Sequence, residues 1–80
     1  MTRLGFYLEN RSINKSAVSR KTRISKARLS ELSTKEHARL TANELFLIAL
    51  AIEVEPGTML EELCSPLRKE FRELSAEEKK

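Results

Sequence analysis

Residues 15–34, KSAVSRKTRISKARLSELST, constrain the fold more than any other stretch of the chain. The apolar residues of this stretch recur at the spacing of two short helices joined by a tight turn. Ser19 is a small residue at the point where two crossing helices would have to touch closely. The stretch therefore predicts a crossed helix pair, whose apolar anchors are Val18, Ile24, Leu29 and Leu32.

The composition favours an all-helical chain with one core. Eighty residues build a single domain, and only two Gly and two Pro interrupt it. Leu, Glu, Lys, Arg and Ala, which form helices well, are abundant, whereas strand-favouring aromatic residues are few. The 40% hydrophobic residues suffice for a compact core, and the 34% charged residues predict a well-solvated surface.

The charge is divided unequally along the chain. Residues 1–39 carry ten Lys and Arg against three Glu, a balance of +7, whereas residues 40–80 carry five against nine, a balance of −4. A basic half of this kind favours a polyanionic partner. The alternative is a basic surface that is merely solvated.

Capping residues and prolines predict six helices. Thr2, Asn14 and Ser25 stand before the first three as N-caps, and Thr41 with Glu44 has the pattern of a capping box. A proline begins each of the last two. The predicted helices run from about 2 to 11, 15 to 22, 26 to 32, 42 to 52, 56 to 64, and from 66 into a charged tail, 75–80, that we expect to fray. The domain is assigned to residues 1–64, with 65–80 as a helical extension.

The turn between the second and third helices falls on Arg23. A sharp link of this kind favours a residue with positive φ, which costs a non-glycine residue about 1 kcal/mol. The turn is therefore either strained at Arg23, or the preceding helix ends differently. The polar run at residues 33–39 is predicted to be a loop.

Residue types that carry enzyme chemistry are scarce. Cys64 is the only cysteine and His37 the only histidine, so neither a disulfide nor a common metal-ligand spacing is available. Cys64 is predicted to be a small core residue, and we expect no enzyme activity, metal or cofactor. The sequence shows no signal-peptide pattern, and its longest apolar run, 45–52, is too short for a membrane span, which makes the cytoplasm the default location.

Two segments, INKSAVSRKTRISKARLSEL and LTANELFLIALAIEVEPGTML, resemble the Cro/repressor-type (XRE-like) helix-turn-helix proteins of bacteria and phages. The resemblance covers about residues 4–63. It implies an all-α, five-helix lambda-repressor-like DNA-binding domain containing a helix-turn-helix, followed here by a short C-terminal helix. The chain departs from the family pattern at Arg23, where relatives have Gly, at Ser19, where they mostly have Ala, and at Glu36, where they have a basic residue.

The resemblance also implies which residues contact DNA. The helix at about 26–32 would enter the major groove and read bases through Lys26, Ala27, Arg28, Ser30 and Glu31. Phosphate contacts would come from Asn14, Lys15, Thr34, Lys35, His37 and Arg39.

The function expected from this resemblance is a sequence-specific transcriptional regulator that represses by occupying an operator in double-stranded DNA. One such domain presents little surface, so a homodimer is expected, with its interface around Met59, Leu67 and Phe71. Alternatively, Leu67, Phe71 and Leu74 would fold back onto their own core. A second function is an antitoxin or other protein-interaction module, which would bind a toxin or another protein through the acidic C-terminal half.

Overall fold

A computed structural model describes residues 1–78, and all the regular secondary structure in this part of the chain is helical. The prediction of an all-α chain is confirmed. The sixth helix continues through residues 75–78, part of the tail expected to fray, and residues 79–80 lie outside the described part. The helices are α1 (Arg3–Asn10), α2 (Lys15–Thr22), α3 (Lys26–Thr34), α4 (Ala42–Ala51), α5 (Pro56–Cys64) and α6 (Pro66–Glu78).

The helix starts follow the capping chemistry of the sequence. In four cases a side-chain oxygen of the N-cap accepts a hydrogen bond from a backbone N–H of the first turn, which has no partner within the helix. Helix α5 differs, because Glu55 makes no side-chain cap bond and Pro56 occupies the first turn instead. The four capping residues are Thr2, Asn14, Ser25 and Thr41.

The core lies where α1, α3, α4 and α5 meet. Leu8, Leu29, Ile48 and Met59, one from each of these helices, are fully buried. Burial of each such side chain contributes roughly 1.5–3 kcal/mol. The predicted anchors of the crossed helix pair also point inward. Val18, Leu29 and Leu32 are buried, and Ile24 is partly buried.

The start of α1 is docked on the end of α3. The Thr2 N–H donates to the Ser33 carbonyl oxygen at 3.0 Å, and the Thr2 hydroxyl donates to the Leu32 carbonyl at 2.6 Å. Gly5 permits this close approach, since a Cβ on Gly5 would lie 2.3 Å from the Ser33 carbonyl oxygen. Thus α1 satisfies carbonyls that α3 leaves without intrahelical partners.

The turn between α2 and α3 adopts the strained alternative. Arg23 has φ 68° and ψ 7°, in the left-handed region. The Thr22 hydroxyl donates to the Val18 carbonyl at 2.8 Å and accepts from the Ile24 N–H at 3.1 Å. These bonds hold the turn from both sides, which offsets the cost of the left-handed residue.

Helix α3 extends further than its sequence pattern predicted. Ser33 and Thr34 belong to the helix and not to the following loop. Ser33 is buried, and its hydroxyl donates to the Leu29 carbonyl at 2.8 Å. A polar side chain that bonds to the preceding helical turn can be buried in this way, so the prediction of a loop from residue 33 was wrong.

Candidate nucleic-acid interface

The start of α3 presents small and basic side chains to solvent. Lys26, Ala27 and Ser30 are all exposed, and Lys26 and Ser30 are one helical turn apart. On the opposite face Leu29 and Leu32 are buried against α1 and α2. The helix is thus held by its apolar face while its outer face remains free to approach a groove.

Arg28 does not share this free surface. Its guanidinium makes four hydrogen bonds: from Nε to Glu44 Oε2 at 2.8 Å, from Nη2 to Glu44 Oε1 at 3.1 Å and to the Arg39 carbonyl at 2.8 Å, and from Nη1 to Glu31 Oε1 at 2.5 Å. A guanidinium has five N–H donors, and a bidentate contact to guanine needs two of them. In the structure the Arg28 side chain, 31% exposed, is thus turned towards Glu44, and these bonds leave one N–H donor free; base readout by Arg28 stays a prediction.

The electrostatics of this cluster follow from its hydrogen bonds. The bonds from Arg28 lower the pKa of Glu44 to about 2, helped by those from Thr41 and opposed by partial burial. The same bonds with Glu44, and then those with Glu31, raise the pKa of Arg28. Both groups are therefore charged at neutral pH. Glu31 remains 48% exposed at its side chain, but one of its oxygens is occupied by Arg28.

The predicted phosphate contacts lie on two stretches of the chain. Asn14 Oδ1 accepts from the Ala17 N–H at 3.1 Å as the cap of α2, and Lys15 follows it, exposed. Lys15 and Thr34 line the same surface groove, together with residues of α1. The Thr34 hydroxyl donates to the Ser30 carbonyl at 2.8 Å. The remaining predicted residues are exposed in the segment after α3, namely Lys35, His37 and Arg39.

The contact between Arg28 and Glu44 was not predicted from the sequence. Glu44 was recognised as the third residue of the capping box with Thr41, and the structure shows both bonds of that box. Its second role depends on a residue 16 positions earlier. No periodic signal spans such a separation, and the only hint was a basic residue on the partly apolar side of α3.

The dimer surface proposed from the sequence is only partly available. Met59 is 0% exposed, because it fills the centre of the core, and its assignment to an interface was wrong. Leu67, Phe71 and Leu74 are 56%, 69% and 62% exposed. In the described part of the chain α6 packs only against α5, so the alternative in which these residues fold back onto the core is not the one adopted.

Other kinds of site are not apparent in the described residues. None of their helices is both long and apolar enough to cross a bilayer. Among residues 1–78, no three His, Cys, Asp or Glu side chains are grouped to hold a metal ion. Cys64 was predicted to be a core residue, but in the structure it is only half-buried.

Comparison with known proteins agrees with the helix arrangement. The family model of the Cro/C1-type HTH DNA-binding domain matches residues 3–64, which include α1 to α5 and leave α6 outside. No curated protein and no solved structure matches the chain. The family match spans most of the sequence and includes the crossed pair α2 and α3. The chain belongs to the family of Cro/C1-type helix-turn-helix DNA-binding domains.

Proposed function

We propose that the chain is a sequence-specific transcriptional regulator that represses by occupying an operator, with α3 in the DNA major groove. The observation that carries this proposal is the exposed surface of Lys26, Ala27 and Ser30 on a helix whose other face is buried. The Lys26 ammonium can donate to guanine O6 and N7, Ala27 can contact a thymine methyl group, and Ser30 can donate or accept.

Sequence-independent affinity comes from cations beside this surface. Lys15 lies at the start of α2, and Lys35 and Arg39 lie in the segment after α3. The backbone N–H groups at the starts of both helices also favour phosphate oxygens. Because cations displace counterions from DNA, we expect the affinity to fall steeply as salt increases.

The regulator acts as a homodimer in this proposal, paired through α5 and α6. Apolar side chains recur there at alternating steps of four and three residues, a coiled-coil period, although Ser65 separates the two helices. They are Leu60, Cys64, Leu67, Phe71 and Leu74.

The charges along α6 favour an antiparallel pairing. Its first half carries Arg68, Lys69 and Arg72 with one acidic residue, Glu70, whereas its second half carries Glu73 and Glu77. Two antiparallel copies would place each basic half against an acidic half. Such a dimer would present two copies of α3, and an operator with two related half-sites is expected.

Selection of bound sites from random duplex DNA tests the proposal as a whole. We expect an enriched motif with two-fold symmetry, because the dimer is symmetric. Lys26→Ala should weaken binding to that motif by about 1–3 kcal/mol, the usual cost of a base contact. Lys69→Ala, on α6, is the control away from α3; once sedimentation shows that it keeps the oligomeric state of the wild type, it should bind as the wild type does. Failure to enrich any motif would refute sequence-specific binding.

The dimer is tested by sedimentation of the Phe71→Glu variant. A charge in the centre of the apolar surface of α5 and α6 should yield monomers, whereas Phe6→Glu, at an aromatic residue of α1 that is 58% exposed against 69% for Phe71, should leave the dimer intact. A wild-type chain that sediments as a monomer at all concentrations would contradict the proposed pairing.

A second candidate is the protein-interaction module, such as an antitoxin. It is favoured by the exposed apolar residues of α4, which no neighbouring helix covers: Phe46, Leu47 and Leu50. They lie in the acidic half of the chain, where a partner with a basic rim would fit. A chain that captures such a partner but shows no salt-dependent affinity for DNA would favour this function over the first.

A further inference from the structure

The backbone of the recognition helix of the proposed function does not approach that of α4 closely. In the described part of the chain α3 lies beside α1 and α2, and α4 lies beside α2 and α5, while α3 and α4 share the core cluster that contains Leu29 and Ile48. The segment between α3 and α4, residues 35–41, carries three of the predicted phosphate contacts. Side-chain bonds from α3 to this segment and to α4 therefore bear directly on their relative positions.

The Arg28 side chain spans this gap. It leaves the first turn of α3 and reaches the first turn of α4, where its Nε and Nη2 donate to the two oxygens of Glu44 at 2.8 and 3.1 Å. Nη2 also donates to the Arg39 carbonyl at 2.8 Å, near the end of the intervening segment. One planar group thus joins α3, the segment and α4.

Glu44 is itself fixed in place. Its Oε1 accepts from the Thr41 N–H at 3.0 Å, and its own N–H donates to the Thr41 hydroxyl at 3.1 Å. The carboxylate that receives Arg28 is therefore part of the capping box of α4. Its side chain is only 17% exposed, so water competes weakly for these bonds.

The charge of the cluster argues against a direct contact with DNA. Arg28 is the single cation, and Glu31 and Glu44 are two anions, so the cluster carries a net charge of −1. A net negative group attracts phosphate less than the free lysines around it do. The arrangement of Arg28, Glu31 and Glu44 therefore suits a link between helices better than a site for a polyanion.

We propose that Arg28 is a positioning residue, whose ion pair with Glu44 sets the orientation of α3 and of residues 35–41 for DNA binding. This inference rests on the proposed function. Under it, Lys26, Ala27 and Ser30 read the bases, and Arg28 acts through the backbone that it holds.

Glu44→Gln gives opposite results under the two roles of Arg28. If Arg28 contacts DNA, the substitution frees it and removes a negative charge, so affinity for the selected duplex rises. If Arg28 is a positioning residue, affinity falls, by about tenfold for the loss of one charge-assisted hydrogen bond. The glutamine oxygen still accepts from Thr41, which preserves the cap of α4.

Glu36→Gln is the matched control. Glu36 lies exposed in the segment after α3, and the substitution removes the same charge without touching Arg28. We expect unchanged or higher affinity for the selected duplex. If Glu44→Gln behaved like Glu36→Gln, the inference would be overturned.

The Arg28→Ala/Glu44→Gln double variant adds a readout that separates positioning from contact. If Arg28 acts through its bonds to Glu44, Arg28→Ala already removes them, so the double variant should bind the selected duplex no more weakly than Arg28→Ala. Additive losses would contradict the inference. All variants are compared below their unfolding temperatures.

The outcome is distinguishable from failure of the proposed function. If the wild type bound no duplex, the proposed function would fail, and the ion pair would be tested by thermal unfolding of the same cycle together with amide hydrogen exchange. Non-additive changes in Tm, with faster exchange at the start of α4 in Arg28→Ala, would support the link between α3 and α4. Additive changes with unaltered exchange would overturn it.

Discussion

Replacement of Gly5 by alanine should destabilise the fold, although Gly5 lies within a helix. In the interior of an exposed helix, Gly→Ala normally contributes about 1 kcal/mol of stability. At Gly5 the new Cβ would lie 2.3 Å from the Ser33 carbonyl oxygen and 2.6 Å from Met1 Cγ. Met1 can move away cheaply. The Ser33 oxygen is a backbone atom at the end of α3 and cannot rotate.

The size of the destabilisation by Gly5→Ala depends on which contacts must change to make room for the new Cβ. Overpacking of a close contact costs about 1–3 kcal/mol. Movement of α1 also stretches the bond from the Thr2 N–H to Ser33, now 3.0 Å, whose loss costs about 0.5–1.5 kcal/mol. After the helix-propensity gain of about 1 kcal/mol is subtracted, the net loss is about 0.5–3.5 kcal/mol. For a domain of this size each kcal/mol lowers Tm by about 4–8 °C.

Gly57→Ala is the matched control, because a Cβ at Gly57 meets nothing within 4 Å. It lies in the first turn of α5, and its replacement should raise stability by up to about 1 kcal/mol. Far-UV circular dichroism during thermal and urea unfolding measures both variants. A Gly5→Ala variant as stable as Gly57→Ala would refute the close approach of α1 and α3.

Three further predictions concern single side chains. The folded-state pKa of Glu44, about 2, lies below its ordinary value of 4.5, so the ionised Glu44 stabilises the fold fully above pH 4.5 and progressively less as the pH falls towards 2. A plot of Tm against pH should therefore be flatter in this range for Glu44→Gln than for the wild type. An equal slope in the two proteins would contradict the ion pair. Met59→Ala should lower the free energy of unfolding in urea by about 2–5 kcal/mol without changing the sedimentation of the chain. Loss of the dimer at unchanged stability would instead show that Met59 belongs to the interface. The buried Tyr7 hydroxyl has no hydrogen-bond partner among the described residues, so Tyr7→Phe should leave the free energy of unfolding unchanged or raise it by up to about 1 kcal/mol. A decrease in the free energy of unfolding would show that the hydroxyl binds a water or another partner.

The helices and their starts were predictable because their causes are local. Thr2, Asn14, Ser25 and Thr41 each bond to an amide within the next three residues, so the pattern of the sequence contains both partners. Position 23 was recognised for a similar reason, as a sharp turn without glycine. The outer face of α3 followed from the burial of Leu29 and Leu32 on the other side.

The tertiary structure alone decided which residues meet across the chain. Gly5 approaches Ser33, and Arg28 pairs with Glu44, at separations that no helical period connects. The sequence by itself determined the helices and their starts, since caps and apolar spacing act over a few residues, while its resemblance to Cro/repressor-type proteins indicated the DNA-binding family. The folded chain paired Arg28 with Glu44 of α4 and placed Met59 in the core, because burial and long side-chain contacts depend on how whole helices pack.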